Sequence, residues 1–358
     1  MPPSPTPLEA IIHERLRAGG ALTFAEYMDL ALYHPQFGYY TAGAPKVGWS
    51  GDFFTSPHLH PLFGVCLARQ LAQFWEALKR PSPFVVVEQG AGQGVLFRYL
   101  QEAVQKRWPN LARAMVYQGV DILTSGYVAP HVVLSNELID AFPVHLVEAR
   151  DGRLLEVFVV EQDGRLAEHL GEPSSPVVAD YLDRFKVPWR AFGEGWRAEV
   201  NLRALAWMRA TAERLRRGGF VLTIDYGDTA RRLYTRWRRR GTLLCYFRHS
   251  TNEESLLRPG QQDMTAHVNF TALIEEGHHA GLRRIRFTTQ REFLLGLGIN
   301  EEVEALRASQ FAAADTARQS DQGQADLLRL YSLRNAVGVL LDPAGLGGFR
   351  VLIQRKRR

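Results

Sequence analysis

The sequence predicts an α/β protein built on a mostly parallel sheet, and three observations lead there. The apolar run Phe84-Val85-Val86-Val87 ends in Glu88 and leads into glycines at alternate positions, Gly90, Gly92 and Gly94. Strand-like and helix-like stretches alternate on both sides of that turn, as crossover helices require. Polar residues close the later strand-like runs, at Asn136-Glu137 and Asp225-Tyr226, where open α/β sheets receive ligands.

The elements follow in chain order. Leu8, Ile11, Ile12 and Leu16 share one face of a helix ended by glycines at 19 and 20. Thr23-Phe24-Ala25-Glu26 is a capping box opening a second helix through Leu32, which His34-Pro35 stops. Residues 36–61 read as a long irregular stretch rich in aromatics, and such a loop in a compact chain usually has a function. Residues 62–78 have helical periodicity. The strand Phe84–Glu88 reads as buried on both faces, with a helix after the glycines to about Trp108. Strands are expected at 114–121 and 131–135. Residues 144–167 alternate, with Asp151-Gly152 and Asp163-Gly164 as hairpin turns. Residues 199–217 read as a helix closed by Gly218-Gly219, and 220–224 as a buried strand. A strand at 241–248, a loop at 259–270, a helix at 270–281, a strand at 284–289, helical residues 290–335 and a last strand at 349–354 complete the pattern. The expected organisation is an N-terminal unit of helices and loop over 1–61 and a core over 62–358. That core carries a hairpin excursion near 144–190 and a mainly helical insertion near 290–342.

Composition narrows the class. The chain has 358 residues, 46% hydrophobic and 23% charged, typical of a globular protein. No run approaches the ~18 apolar residues of a membrane span. Residues 1–7 lack the charged and apolar regions of a secretory signal. Two cysteines, Cys66 and Cys245, are too few for a disulfide framework or a zinc cluster, so a reducing cytoplasm is expected. The net charge is +5, with basic runs at 231–240 and 355–358; solvated surface is the preferred account of both, and nucleic acid the less favoured one.

The glycine spacing selects the ligand class. The dinucleotide pattern G-x-G-x-x-G and the phosphate-binding P-loop are both absent. Glu88-x-Gly90-x-Gly92-x-Gly94 is similar to motif I of methyltransferases that use S-adenosyl-L-methionine (SAM). SAM carries a sulfonium and an ammonium, and a nearby Glu88 suits that charge.

Further blocks resemble the MidA-like family of SAM-dependent methyltransferases. They are Thr23-Phe24-Ala25-Glu26-Tyr27-Met28, His34-Pro35-x-x-Gly38-Tyr39-Tyr40, Gly51-Asp52-Phe53-x-Thr55-Ser56-Pro57, Asn136-Glu137-x-x-Asp140-Ala141-x-Pro143-Val144, Asp225-Tyr226-Gly227, Pro259-Gly260-x-x-Asp263-x-Thr265-Ala266-His267-Val268-x-Phe270 and Gln290-x-x-Phe293-Leu294. The resemblance runs in order from about residue 21 to 352. It implies a Rossmann-like class I methyltransferase with an N-terminal helical and loop extension and α/β insertions. The family includes the mitochondrial complex I assembly methyltransferase, which methylates an arginine of a complex I subunit, so a protein substrate from a respiratory complex is implied. For the cofactor, the expected residues are Glu88, Gly90, Gly92, Gly94, Asp121 and Asn136. The loop residues Asp52, Phe53, Thr55 and Ser56 are expected to cover it as a lid, with a structural Ω-loop as the alternative. For the acceptor, Glu137 and Asp140 lie three apart, so a helical turn there would aim both carboxylates the same way. Paired carboxylates bind a guanidinium's planar fork. Asp225, Asp263 and His267 form a second tier.

The chain departs from the family at His58 and Asn269, and most clearly between Gly94 and Asn136. Only fourteen residues separate Asp121 from Asn136. Either Asp121 is the ribose acid and the next unit has shrunk, or Asp121 ends the next strand and the ribose unit is reduced. A binding or assembly protein without catalysis is therefore the alternative to an enzyme. The apolar surface of 290–340 suits a homodimer or the core equally.

Overall fold

The structure, a computed structural model, describes residues 6–43, 56–121, 128–248, 250–316 and 333–358. The chain folds as two compact units, each made of three segments. A parallel-sheet unit comprises Thr55–Glu137, Thr211–Tyr226 and His278–Arg358, and an antiparallel unit comprises Met1–Phe54, Leu138–Ala210 and Gly227–Gly277. These boundaries differ from the 1–61 and 62–358 division read from the sequence.

In the parallel-sheet unit six strands run in the order Leu282–Thr289, Arg350–Lys356, Phe220–Asp225, Val132–Asn136, Phe84–Gln89, Met115–Val120. The last four are mutually parallel, and Arg350–Lys356 is antiparallel to both its neighbours. The inner strands are buried along nearly their whole length, which is why they read as unbroken apolar runs. Helices Leu62–Ala77 and Val95–Arg107 pack onto this sheet through Phe63, Leu67, Phe74, Leu96 and Leu100. Met115–Val120 is the edge strand among the described residues, and it pairs directly with the strand that carries Glu88. Asp121 therefore directly follows the strand next to the one that leads into the glycine turn.

The antiparallel unit centres on a five-stranded sheet of Leu22–Thr23, His145–Arg150, Arg153–Gln162, Arg165–Gly171 and Arg197–Val200. Both expected hairpin turns are present: Asp151, Gly152, Asp163 and Gly164 all have φ between 50° and 72°, the left-handed pair a two-residue hairpin needs. Alternation sends side chains to two cores. Leu146, Val157 and Val159 meet the helices Pro7–Gly19 and Phe24–Tyr33; Val147, Ala149 and Leu154 meet Val178, Leu182, Trp189 and Leu205.

Several expectations are corrected here. The excursion at 144–190 is part of this sheet, joined by Leu22–Thr23 and Arg197–Val200. The helix expected at 199–217 starts later: Glu199 and Val200 are ladder residues, and the Asn201 side chain caps the helix Leu202–Arg214 by accepting the Ala204 N–H at 2.8 Å. The expected loop at 259–270 contains strands Asp263–Thr265 and Val268–Asn269. In the 290–342 region, Gln290–Gly296, Ile299–Thr316 and residues 333–341 are helical, while 317–332 lie outside the described residues. No described helix is long and apolar enough to cross a membrane.

Candidate functional site

The site is built at the carboxyl ends of the parallel strands. Gly90, Gly92 and Gly94 have φ of 74°, 49° and 68°. A side chain in that left-handed region costs roughly 1–2 kcal/mol per residue. A Cβ at Gly92 or Gly94 would meet nothing within 4 Å. The glycines are therefore required by backbone shape, and the space beside these two is open. The Gly90 N–H donates to Val120 O at 2.9 Å, and the Gly92 N–H to the Asp121 carboxylate at 3.1 Å, which ties the turn to the end of the edge strand. Sequence reasoning missed Gly119: a Cβ there would lie 2.9 Å from Ala91 Cβ, so the missing side chain lets the turn sit against the neighbouring strand.

Glu88 is 4% exposed. Burial pushes its carboxyl up to about 7, the hydroxyl of Tyr117 donating at 2.7 Å draws it down, and Asp121 adds to the rise. Tyr117 was also missed; its signal is a lone phenol on the strand facing the Glu88 strand. Burial of the carboxyl disfavours its charged form, and a positive charge placed beside it would favour that form.

Asn136 and Glu137 follow the next strand. Glu137 has φ 51°, a strained value for a non-glycine residue. Its N–H donates to Ile224 O at 2.9 Å, and its Oε1 accepts from Asn136 Nδ2 and from the Ser56 N–H, each at 3.0 Å. The Ser56 hydroxyl in turn donates to Gln290 Oε1 at 3.4 Å, both residues being fully buried. Glu137 thus pins the short helix Ser56–Leu59 to the strand ends. Asp52, Phe53 and Thr55 lie outside the described residues. The Asn136 Oδ1, Ser135 Oγ and Thr223 Oγ1 atoms are buried and make no hydrogen bond among the described residues; Ser135 and Thr223 are register partners on adjacent strands. Unsatisfied polar atoms are costly when buried, and these sit at the strand ends where the ligand is expected.

The second-tier residues divide. Asp225 is fully buried at the end of its strand and accepts the Tyr226 N–H at 2.9 Å. Glu137 and Asp140 do not share a helical turn: the left-handed Glu137 breaks the helical path, residues 137–140 form no helix, and the two carboxylates belong to different units. In the antiparallel unit Asp140 is 6% and Asp263 1% exposed. Tyr40 donates to Asp263 Oδ1 at 2.8 Å and stacks on Tyr33, and both aspartates raise the Tyr40 hydroxyl, after burial as the main cause. His267 is exposed and is anchored by its N–H to Thr242 Oγ1 at 3.0 Å.

The fold and this strand-end site define an α/β protein that binds a nucleotide-like cofactor. Residues 66–125 and 120–288 match the family described as "putative S-adenosyl-L-methionine-dependent methyltransferase", and the chain belongs to that family. The chain is 26% identical to the mitochondrial protein arginine methyltransferase NDUFAF7 homolog of Drosophila melanogaster, over 86% of this chain and 81% of that protein. It is 26% identical to NDUFAF7 of Homo sapiens, over 84% and 75%. A crystal structure of a candidate methyl transferase from Burkholderia thailandensis, bound to S-adenosyl-homocysteine, is similar at TM-score 0.81 and 29% identity, over 99% of this chain and 95% of that one. A native structure of an uncharacterized protein from the same organism gives TM-score 0.74 and 28% identity. These findings agree with the MidA-like resemblance, and SAM is the family's cofactor.

Proposed function

We propose that the chain is a Rossmann-like class I methyltransferase that methylates a guanidinium nitrogen of a protein arginine, in connection with respiratory-complex assembly. One observation carries the cofactor half: three left-handed glycines lie between a buried Glu88 with a raised carboxyl and an Asp121 that holds their turn. The names of the curated relatives support the arginine half.

When bound, SAM supplies a methyl group activated by its sulfonium. The residues present fit it. The Glu88 carboxylate meets positive charge, the open backbone beside Gly92 and Gly94 admits a close ligand, Asp121 is suited to ribose hydroxyls, and Asn136 Oδ1 is an acceptor awaiting a donor. Ser56, with Asp52, Phe53 and Thr55, is assigned to the wall over it. An arginine side chain is fully charged at neutral pH, so it must be oriented by carboxylates and must release one proton on methylation. Glu137 is the first candidate; Asp140, Asp225, Asp263 and His267 follow. The place of action is proposed to be the cytoplasm, and residues 290–340 are the proposed surface for any homodimer.

The test is radiolabelled SAM in a lysate with the purified chain, followed by protease or nuclease digestion and amino-acid analysis. Protease-sensitive label in methylarginine is expected. Nuclease-sensitive label, or label in another amino acid, overturns the arginine assignment. One observation favours a second reading, a cofactor-binding protein without catalysis: among the described residues the sheet ends at Met115–Val120. SAM binding with no methyl transfer to any acceptor would support it.

A further inference from the structure

We propose that the turn Thr235–Arg240 is a docking site for an acidic segment of a partner protein, in which carboxylates flank an apolar residue. Trp237 is 78% exposed, and among the described residues it is the only exposed large hydrophobic between 228 and 243. The turn that holds it out is firmly anchored. Trp196 Nε1 donates to Thr235 O at 2.9 Å, a guanidinium nitrogen of Arg238 to Leu233 O at 2.7 Å, the Arg197 N–H to Arg239 O at 2.8 Å, and a guanidinium nitrogen of Arg239 to Glu194 O at 2.6 Å. Just beyond, the buried Glu199 accepts the N–H groups of Thr242 and Leu243 at 2.5 and 2.9 Å. A well-anchored turn that keeps a tryptophan in water is organised in advance of binding, which lowers the entropic cost of docking.

The surroundings of Trp237 choose the partner. The Arg236 guanidinium lies 4.1 Å from its ring. Arg231, Arg232, Arg238, Arg239 and Arg240 lie within six residues of Trp237 along the chain, with no lysine among them. Arg232 and Arg240 pair with Asp228 and Glu253. Among the described residues Arg231, Arg236, Arg238 and Arg239 have no carboxylate partner. Tryptophan and arginine are the residues that most often dominate protein–protein interfaces. A nucleic acid would need an extended cationic groove, whereas these arginines are confined to one turn and its helical lead-in and are interleaved with Asp228, Glu194 and Glu253. A membrane would need an apolar face, and a single ring does not make one. The proposal does not depend on the cofactor site.

The test titrates the full chain with a short peptide of glutamates flanking a leucine, followed by the fluorescence difference between the wild type and Trp237→Phe. Binding is expected, and it should weaken about tenfold in Trp237→Ala and in the double variant Arg231→Glu/Arg236→Glu. Both variants should keep the wild-type melting temperature. A lysine-for-glutamate peptide should not bind. No binding of the acidic peptide, or equal binding by the variants, overturns the proposal. So does tighter, variant-sensitive binding of oligothymidylate or of phosphatidylglycerol vesicles, which would assign the turn to nucleic acid or to a membrane. A wild-type dimer that Trp237→Ala converts to a monomer would assign it to a second copy of the chain.

Discussion

Two buried glutamates, Glu276 in the antiparallel unit and Glu88 beside the glycine turn, are compensated differently. In the antiparallel unit Glu276 is 4% exposed and is gripped by Arg184 at 2.5 Å and Arg209 at 2.7 Å. Burial raises its carboxyl, but the two guanidiniums more than offset that and hold it below its ordinary value. Glu156, fully buried, is brought down in the same way by His145 and the Ser174 N–H. In the parallel-sheet unit Glu88 is equally buried, yet burial wins against a single phenol and the carboxyl stays raised. Nearby, Asn136 Oδ1 and two strand hydroxyls have no hydrogen-bond partner among the described residues. Neither burial nor a raised carboxyl alone marks a site: Glu199 is buried and raised too, but it holds the N–H groups of Thr242 and Leu243, whereas Glu88 lies beside a glycine turn with open space next to its backbone.

The largest effect is expected at Glu276. Glu276→Ala should lower unfolding free energy by about 2–3 kcal/mol, since it strips the shared partner from two arginines, and should leave SAM affinity unchanged. Urea unfolding and calorimetric titration read the two. Lost SAM binding with intact stability would reverse the roles assigned to the units. Gly92→Val should do the opposite: about 1–2 kcal/mol of local strain, read mainly as SAM affinity weakened about tenfold or more. Asp121→Asn should weaken SAM by about tenfold while its amide oxygen still accepts the Gly92 N–H, so the melting temperature should hardly move.

The smallest effect is the pH dependence of Glu88. Folded, the carboxyl keeps its proton to about pH 7, against 4.5 for the free group. The folded chain then binds more protons than the unfolded one between those values, so Glu88 makes stability fall as pH rises through that window. If a cation of SAM meets Glu88, affinity should rise a few-fold as pH increases through 7. Glu88→Gln should flatten both trends in calorimetric titration and in melting curves. A pH-independent affinity in the wild type would remove Glu88 from the site.

Much of this was legible in sequence where one periodicity acts alone. The buried parallel strands, the two Asp-Gly hairpins and the glycine turn were all readable, because a strand buried on both faces and a left-handed turn each leave a local signature. The strand at 197–200 and the pair at Leu22–Thr23 were not, since their stability comes from partners more than forty residues away. Tyr117 and Gly119 were missed because they act through register with Val86 and Glu88. The three-residue spacing of Glu137 and Asp140 misled because it presumes helical backbone, and Glu137 adopts φ 51°. The neighbour of the strand before Asp121 was not readable either; only the sheet order puts that strand beside the Glu88 strand.

The central claim is that the strand ends of the parallel-sheet unit bind SAM through the glycine turn. Calorimetric titration of the full chain with SAM at neutral pH, beside Gly92→Val, tests it most directly. The account predicts saturable binding at one site per chain that is lost or strongly weakened in the variant while both proteins melt cooperatively. Absence of binding by the wild type, or an equal affinity in Gly92→Val, would contradict it.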